Sequence, residues 1–116
     1  MAVSGFPSLF MLYGPNTNLG HNSIIYMIEA QVDYVLQALA AGRPLSVKPE
    51  VMERYNDDLQ QRLANTPWAG SCTIWYKTAD GKILNNWPHT ARAYAEAVAV
   101  FDPAAYDVVK TPEPAE

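Results

Sequence analysis

Leu9-Phe10-Met11-Leu12-Tyr13, then Gly14-Pro15-Asn16-Thr17-Asn18-Leu19-Gly20-His21-Asn22-Ser23, then Ile24-Ile25, is the stretch on which the fold turns. Its first five residues form a continuous apolar run, the pattern of a strand buried on both faces, as in a parallel sheet. The next ten carry Gly, Pro and Asn, the residues of tight turns. From there Ile24, Ile25, Ile28, Val32, Val35, Leu36 and Leu39 recur at helical spacing, with Glu29, Asp33 and Gln37 mainly opposite. This helix is expected to end at Gly42, suited to a left-handed cap, with Pro44 just beyond. A strand, a turn and a helix start in that order offer backbone N–H groups and a positive helix end to an anion or a polarised ring. An ordinary strand-to-helix connection uses the same residues for turn reasons alone, so both readings stand at this level. His21 by itself reads as a helix-start residue rather than a base.

Downstream, Leu45-Ser46-Val47 is a short extended segment, and Pro49 fits the first turn of a second helix. Val51, Met52, Tyr55, Leu59 and Leu63 supply its apolar stripe, with Asp58 and Arg62 one turn apart on the exposed side, and it stops near Asn65-Thr66-Pro67. Cys72 to Lys77 is rich in β-branched and aromatic residues. Ala79-Asp80-Gly81-Lys82 then makes a tight turn and Ile83-Leu84 a return strand, which predicts a small hairpin ended by Asn85-Asn86-Trp87-Pro88. A third helix places Ala91, Tyr94, Ala95, Val98 and Phe101 on one side. Asp102-Pro103 reads as a cap and first position of a further short turn. Thr111 to Glu116 has the composition of a disordered tail.

The rest of the composition mainly excludes. At 116 residues the chain is one domain at most. A formal charge of −4, with eight scattered Lys and Arg, argues against a nucleic-acid partner. One cysteine, Cys72, rules out an intrachain disulfide framework, fits a cytoplasmic location and reads as a buried small apolar residue. Two histidines far apart make a zinc site improbable, and the apolar stretch from Ile24 to Ala41 is interrupted by Glu29, Gln31, Asp33 and Gln37, which excludes a membrane span. The N-terminus lacks a signal-peptide core and runs into the apolar stretch so soon that a start inside a larger fold is expected.

Few residues suggest chemistry. The six glycines never fall two apart, so a dinucleotide fingerprint and a P-loop are both missing. No Ser/His/Asp grouping or pair of catalytic carboxylates can be read, and Asp57-Asp58 is a solvated helix face. Trp68, Trp75, Trp87, Tyr76 and Tyr94 read as core or lobe-interface aromatics.

Taken as a string, Gly5 to Ser23 resembles the C-terminal part of FAD-dependent monooxygenases. These are the Baeyer–Villiger type, including the 4-hydroxyacetophenone monooxygenase-like group, related to the flavin-containing monooxygenases. The resemblance continues through Ile28-Glu29, Val32-Asp33-Tyr34-Val35, Trp68-Ala69, Cys72-x-x-Trp75-Tyr76, Asp80-Gly81-Lys82, Asn86-Trp87-Pro88 and Phe101-Asp102-Pro103-Ala104-x-Tyr106. It implies an α/β parentage and a mixed α+β architecture for the isolated piece: a strand, loop and long helix from the FAD-domain sheet, two further helices and a small β-hairpin. The implied divisions are 1–43 as the end of a split FAD-binding domain, 44–110 as a C-terminal extension and 111–116 as the tail. Leu9–Tyr13 would be the last strand of that sheet. Asn16, Thr17, Asn18 and Leu19 would approach the flavin, Ser23 and Ile24 the ring or substrate pocket, and Trp75 the nicotinamide cofactor. Ile74 stands where the family usually has Ser, and Ile83 where it often has Asn.

The function so implied is that of a C-terminal fragment of an FAD- and NADPH-dependent monooxygenase. Such an enzyme inserts oxygen next to a ketone, or oxidises a heteroatom, through a C4a-peroxyflavin. Both dinucleotide motifs would lie upstream, so the chain is expected to contribute one wall of the flavin site and to be inactive alone. No catalytic residue and no metal are assigned, and neither cofactor is expected to bind tightly to the chain by itself. The partner would be the upstream FAD/NADP-binding portion or a separately encoded subunit, with a small ketone or heteroatom compound as substrate. A non-catalytic docking module, and an unrelated stand-alone α+β binding domain, are the alternatives.

Overall fold

The computed structural model describes residues 1–20 and 22–110; the readings of His21 and of the 111–116 tail lie outside them. Three α-helices carry the chain: α1 (Ile24–Leu39), α2 (Pro49–Leu63) and α3 (Ala91–Ala97). Two short strands, β1 (Leu45–Val47) and β2 (Tyr106–Val108), pair antiparallel with Val47 opposite Tyr106. Single 3-10 turns form at Pro67–Ala69 and Pro103–Ala105. The architecture is thus the mixed α+β one expected. The ends of α1 and α2 follow their signals: Gly42 takes φ 66°, and Pro49 opens α2.

Two small cores hold these elements. The larger joins Leu19, Met27, Leu59, Leu63, Ile83, Trp87, Ala91 and Tyr94. The smaller joins Ala38, Leu45, Val47 and Tyr106. Residues from before and after position 43 contribute to both. Trp87 meets Tyr94 edge to face at 5.1 Å, and its indole N–H donates to the Thr90 carbonyl at 2.9 Å. Trp68 and Tyr76 pack against this core, but Trp75 is 82% exposed.

Several local expectations need correction. Leu9–Tyr13 is not a strand: only Phe10 makes a β-bridge, to Ala2, and Ser8 and Tyr13 take φ of 56° and 51°. A strand buried on both faces needs a sheet to join and layers packed over it, and the two strands among the described residues pair with each other. The hairpin shrinks to one bridge, Lys77 to Ile83, closed by Leu84 N–H donating to the Tyr76 carbonyl. Residues 72–75 form no strand: 72 is a bend, 73 and 74 are irregular and 75 begins a turn. α3 stops at Ala97, so Phe101 joins the smaller core instead of the helix face. Cys72 is exposed rather than buried.

The largest departure concerns α1. Of its predicted apolar face, Ile25, Val32, Leu36 and Leu39 point outward and Ile24, Ile28 and Val35 are half-buried, while the residues the helix buries are Met27, Gln31 and Ala38. The surface ion pairs Asp58–Arg62 and Glu96–Arg92, at 3.0 and 3.1 Å, are exposed and add little.

Tyrosines give the fold a pH limit. Tyr34 and Tyr106 share a 2.8 Å hydroxyl–hydroxyl bond, and burial pushes both phenols, with Tyr94, above their ordinary value of 10. In the unfolded chain they ionise near that value, and in the folded chain later. Stability is therefore complete below pH 10 and falls as pH rises through the folded values. Tyrosinate absorbance followed against pH is expected to rise together with loss of helical circular dichroism. Phenylalanine in place of both Tyr34 and Tyr106 should shift that transition to higher pH.

Candidate functional site: the loop before α1

The 14–19 loop is built into the chain's own core. Asn16 is 7% exposed and sits at φ 57°, a left-handed conformation that asparagine tolerates better than most residues. Its Nδ2 donates to the Ile83 carbonyl at 2.9 Å and to the Asn86 carbonyl at 3.1 Å, and its backbone N–H donates to the Leu84 carbonyl. Thr17 is 2% exposed and turns its hydroxyl onto the Gly14 carbonyl. Asn18 makes a parallel bridge to Asn86: its N–H donates to the Asn85 carbonyl, and Trp87 N–H donates to the Asn18 carbonyl. Leu19 belongs to the larger core. The loop therefore lies along residues 83–87 like an added strand.

Three residues not singled out from the sequence hold this arrangement. Gln31, fully buried on α1, accepts from Tyr13 N–H at 2.9 Å and donates to the Tyr94 hydroxyl at 2.7 Å, tying the apolar run, α1 and α3 together. Gln60 clamps the Ile83 backbone from both sides, donating to its carbonyl and accepting from its N–H. Asn86 receives the Asn16 amide on its carbonyl. A signal for Gln31 existed: it shares the helical face of Met27 and Ala38, so its amide is committed to that face.

The assigned site residues thus fall into two groups. Asn16, Thr17 and Leu19 point inward, and among the described residues no buried side-chain nitrogen or oxygen lacks a partner. Their side chains are spent on the loop's own hydrogen bonds and packing. The outward group is Asn18, Ser23 and Ile24. Asn18 is half-buried, and its side-chain oxygen accepts from the Tyr13 hydroxyl at 2.9 Å. Ser23 caps α1 by position, but its side chain makes no capping bond and no acidic residue lies in the first turn. In contrast, Thr90 accepts from Ala93 N–H at the start of α3. Among the described residues, neither a capping bond from Ser23 nor an acid in the first turn offsets the partial positive charge of the α1 start, which makes it a suitable place for developing negative charge. Trp75 stands 82% exposed, its ring meeting Tyr76 edge to face at 5.5 Å. Among the described residues, no three His, Cys, Asp or Glu side chains gather as a metal site, and no helix is long and apolar enough to cross a membrane.

Comparison with known proteins gives these elements a lineage. No family model and no solved structure matches the chain. It is 43% identical over 117 residues to a Baeyer–Villiger monooxygenase of Pseudomonas aeruginosa, covering 95% of this chain and 22% of that protein. To the FAD-binding monooxygenase ktnD of Aspergillus niger it is 45% identical over 109 residues, covering 85% and 18% respectively. To a Baeyer–Villiger monooxygenase of Streptomyces coelicolor it is 35% identical over 121 residues, covering 98% and 23%. The match runs through nearly all of this chain but only about a fifth of each relative. The chain is thus a homologue of the Baeyer–Villiger and FAD-binding monooxygenases, corresponding to a short portion of their length.

Proposed function

We propose that this chain is the C-terminal portion of an FAD- and NADPH-dependent monooxygenase, supplying one wall of its flavin site and catalysing nothing alone. The observation that carries the reading is the 43% identity to a Baeyer–Villiger monooxygenase over 95% of the chain. When bound, the flavin supplies the redox chemistry of oxygen insertion next to a ketone or of heteroatom oxidation. The chain's own contribution is electrostatic. The positive end of α1 would stabilise negative charge on a reduced ring, and the Ser23 hydroxyl, which accepts no capping bond from the helix, would donate there. Asn18 and Ile24 border the same edge. Asn16, Thr17 and Leu19 act indirectly, fixing the loop's path against residues 83–87. Trp75, exposed and outside the core, is available to the nicotinamide cofactor. The partner is the FAD/NADP-binding remainder, the substrate class is a small ketone or heteroatom compound, and the setting is cytoplasmic.

A chimera tests this reading, with the chain replacing the stretch of the Pseudomonas protein that it matches. The isolated chain should leave the visible spectrum of FAD unchanged, whereas the chimera should show bound flavin. Ser23→Asp then separates site from scaffold. An acid at a helix start stabilises the helix by about 0.5 kcal/mol, yet faces the reduced ring with a negative charge. The thermal midpoint of the isolated chain should hold or rise, while NADPH oxidation by the chimera falls at least about tenfold. Stoichiometric FAD binding by the isolated chain, or unaltered oxidation in the Ser23→Asp chimera, would contradict the proposal.

A further inference from the structure

Helix α1 is apolar around far more of its circumference than the chain buries. At 100° per residue, Met27, Gln31 and Ala38 cluster on one side, and Ile25, Val32, Leu36 and Leu39 form a second stripe roughly 130° away. That stripe is 59%, 39%, 57% and 63% exposed along its length. Ile24, Ile28 and Val35, half-buried, fill the arc between the two, and the polar residues Glu29, Asp33 and Gln37 occupy the remaining side. A helix apolar over this much of its surface is a buried helix, and solvent faces its second stripe only when a neighbour is missing.

We propose that the Ile25–Val32–Leu36–Leu39 stripe is the docking face for the part of the monooxygenase that this chain does not match. The inference rests on the monooxygenase reading and adds the surface by which the two parts join. Two observations select this occupant over a second copy of the chain. The relatives carry the matched stretch within proteins of which it is only about a fifth, so a large body of polypeptide accompanies this helix in each of them. The stripe also begins at Ile25, one residue inside the helix start that the flavin site would use. A body seated on it is therefore continuous with the open end of α1.

Thiol labelling reads this directly. In a Cys72→Ser background, Leu36→Cys is introduced into the isolated chain and into the chimera, with Glu29→Cys as the control on the polar side. The thiol at position 36 should label freely in the isolated chain and at least about tenfold more slowly in the chimera. The control thiol at position 29 should label alike in both. A second measurement needs no chimera: Leu36→Asp with Leu39→Asp should leave the thermal midpoint of the isolated chain unchanged, because its own core does not use the stripe. Equal labelling at position 36 in both settings would overturn the inference. So would protection of that position in the isolated chain that disappears on dilution, which would assign the stripe to a second copy. So would a fall in the midpoint of the double variant, or a chimera that does not accumulate in soluble form. Labelling does not depend on flavin. A chimera that protects position 36 but shows no bound FAD would retain the docking face and reject the flavin-site reading, and the converse result would do the opposite.

Discussion

Asn16→Asp is expected to destabilise the chain by roughly 3 kcal/mol or more at neutral pH, in the range where a small domain loses much of its stability. The Asn16 amide is a double donor to the carbonyls of Ile83 and Asn86 in a nearly solvent-free position. A carboxylate there offers only acceptors to two acceptors, and it does so while charged and desolvated. Burial and the facing carbonyls raise its folded pKa above the ordinary aspartate value of about 3.9. The sign follows: the destabilisation is present at neutral pH and shrinks as pH falls through the folded value, where the protonated acid can donate to one carbonyl. Asn16→Ala separates the remaining contributions, since it loses both bonds and leaves at φ 57° a residue that tolerates the left-handed region less well than asparagine. Asn16→Gly loses the same bonds with no conformational penalty, so it should be less harmful than alanine by about 1 kcal/mol. Urea unfolding at two pH values distinguishes all three.

Trp87→Ala should cost about 3–5 kcal/mol and leave little folded chain at ambient temperature. Trp87 is 3% exposed at the centre of the larger core, with Leu59, Leu63 and Tyr94, and no neighbouring element can close over a cavity of indole size. Its backbone N–H also holds the Asn18 carbonyl, so the loop before α1 and the core share this residue. Trp87→Phe keeps much of the ring and removes the donor to the Thr90 carbonyl. It should cost about 1–3 kcal/mol. Calorimetric midpoints for the two variants give the comparison, and near-equal effects would show that the hydrogen bond rather than the packing dominates.

Local signals suffice wherever the chain supplies its own neighbours. The boundaries of α1 and α2, the Gly42 turn, the β1 segment and the Asp102-Pro103 turn all stand as the residues suggest. The β2 strand escaped because Tyr106-Asp107-Val108 carries little pattern in three residues, and its register depends on β1, some sixty residues earlier. The amide network escaped for a related reason: Asn16, Gln31, Gln60 and Asn86 act through tertiary partners, and an isolated Asn or Gln reads as loop or surface. The errors at Leu9–Tyr13 and on the α1 face have a different origin. Both stretches carry the pattern of buried structure, yet in this chain Leu9, Leu12 and Tyr13 and the outer stripe of α1 stand exposed. Hydrophobic pattern reports the environment for which a sequence is suited, and the relatives carry this stretch within chains of which it is only about a fifth. The proposed site residues divide the same way: Asn16, Thr17 and Leu19 are built into the chain's own core, whereas Ser23 stands exposed at the start of α1.

The most direct test of the central claim is the rate of NADPH oxidation, measured for three samples: this chain with FAD, the Pseudomonas relative lacking the matched stretch, and the chimera that restores it with this chain. Oxidation is expected from the chimera alone. Oxidation by the isolated chain, or a folded, FAD-loaded chimera that oxidises no NADPH, would contradict the assignment of this chain as one wall of a flavin monooxygenase.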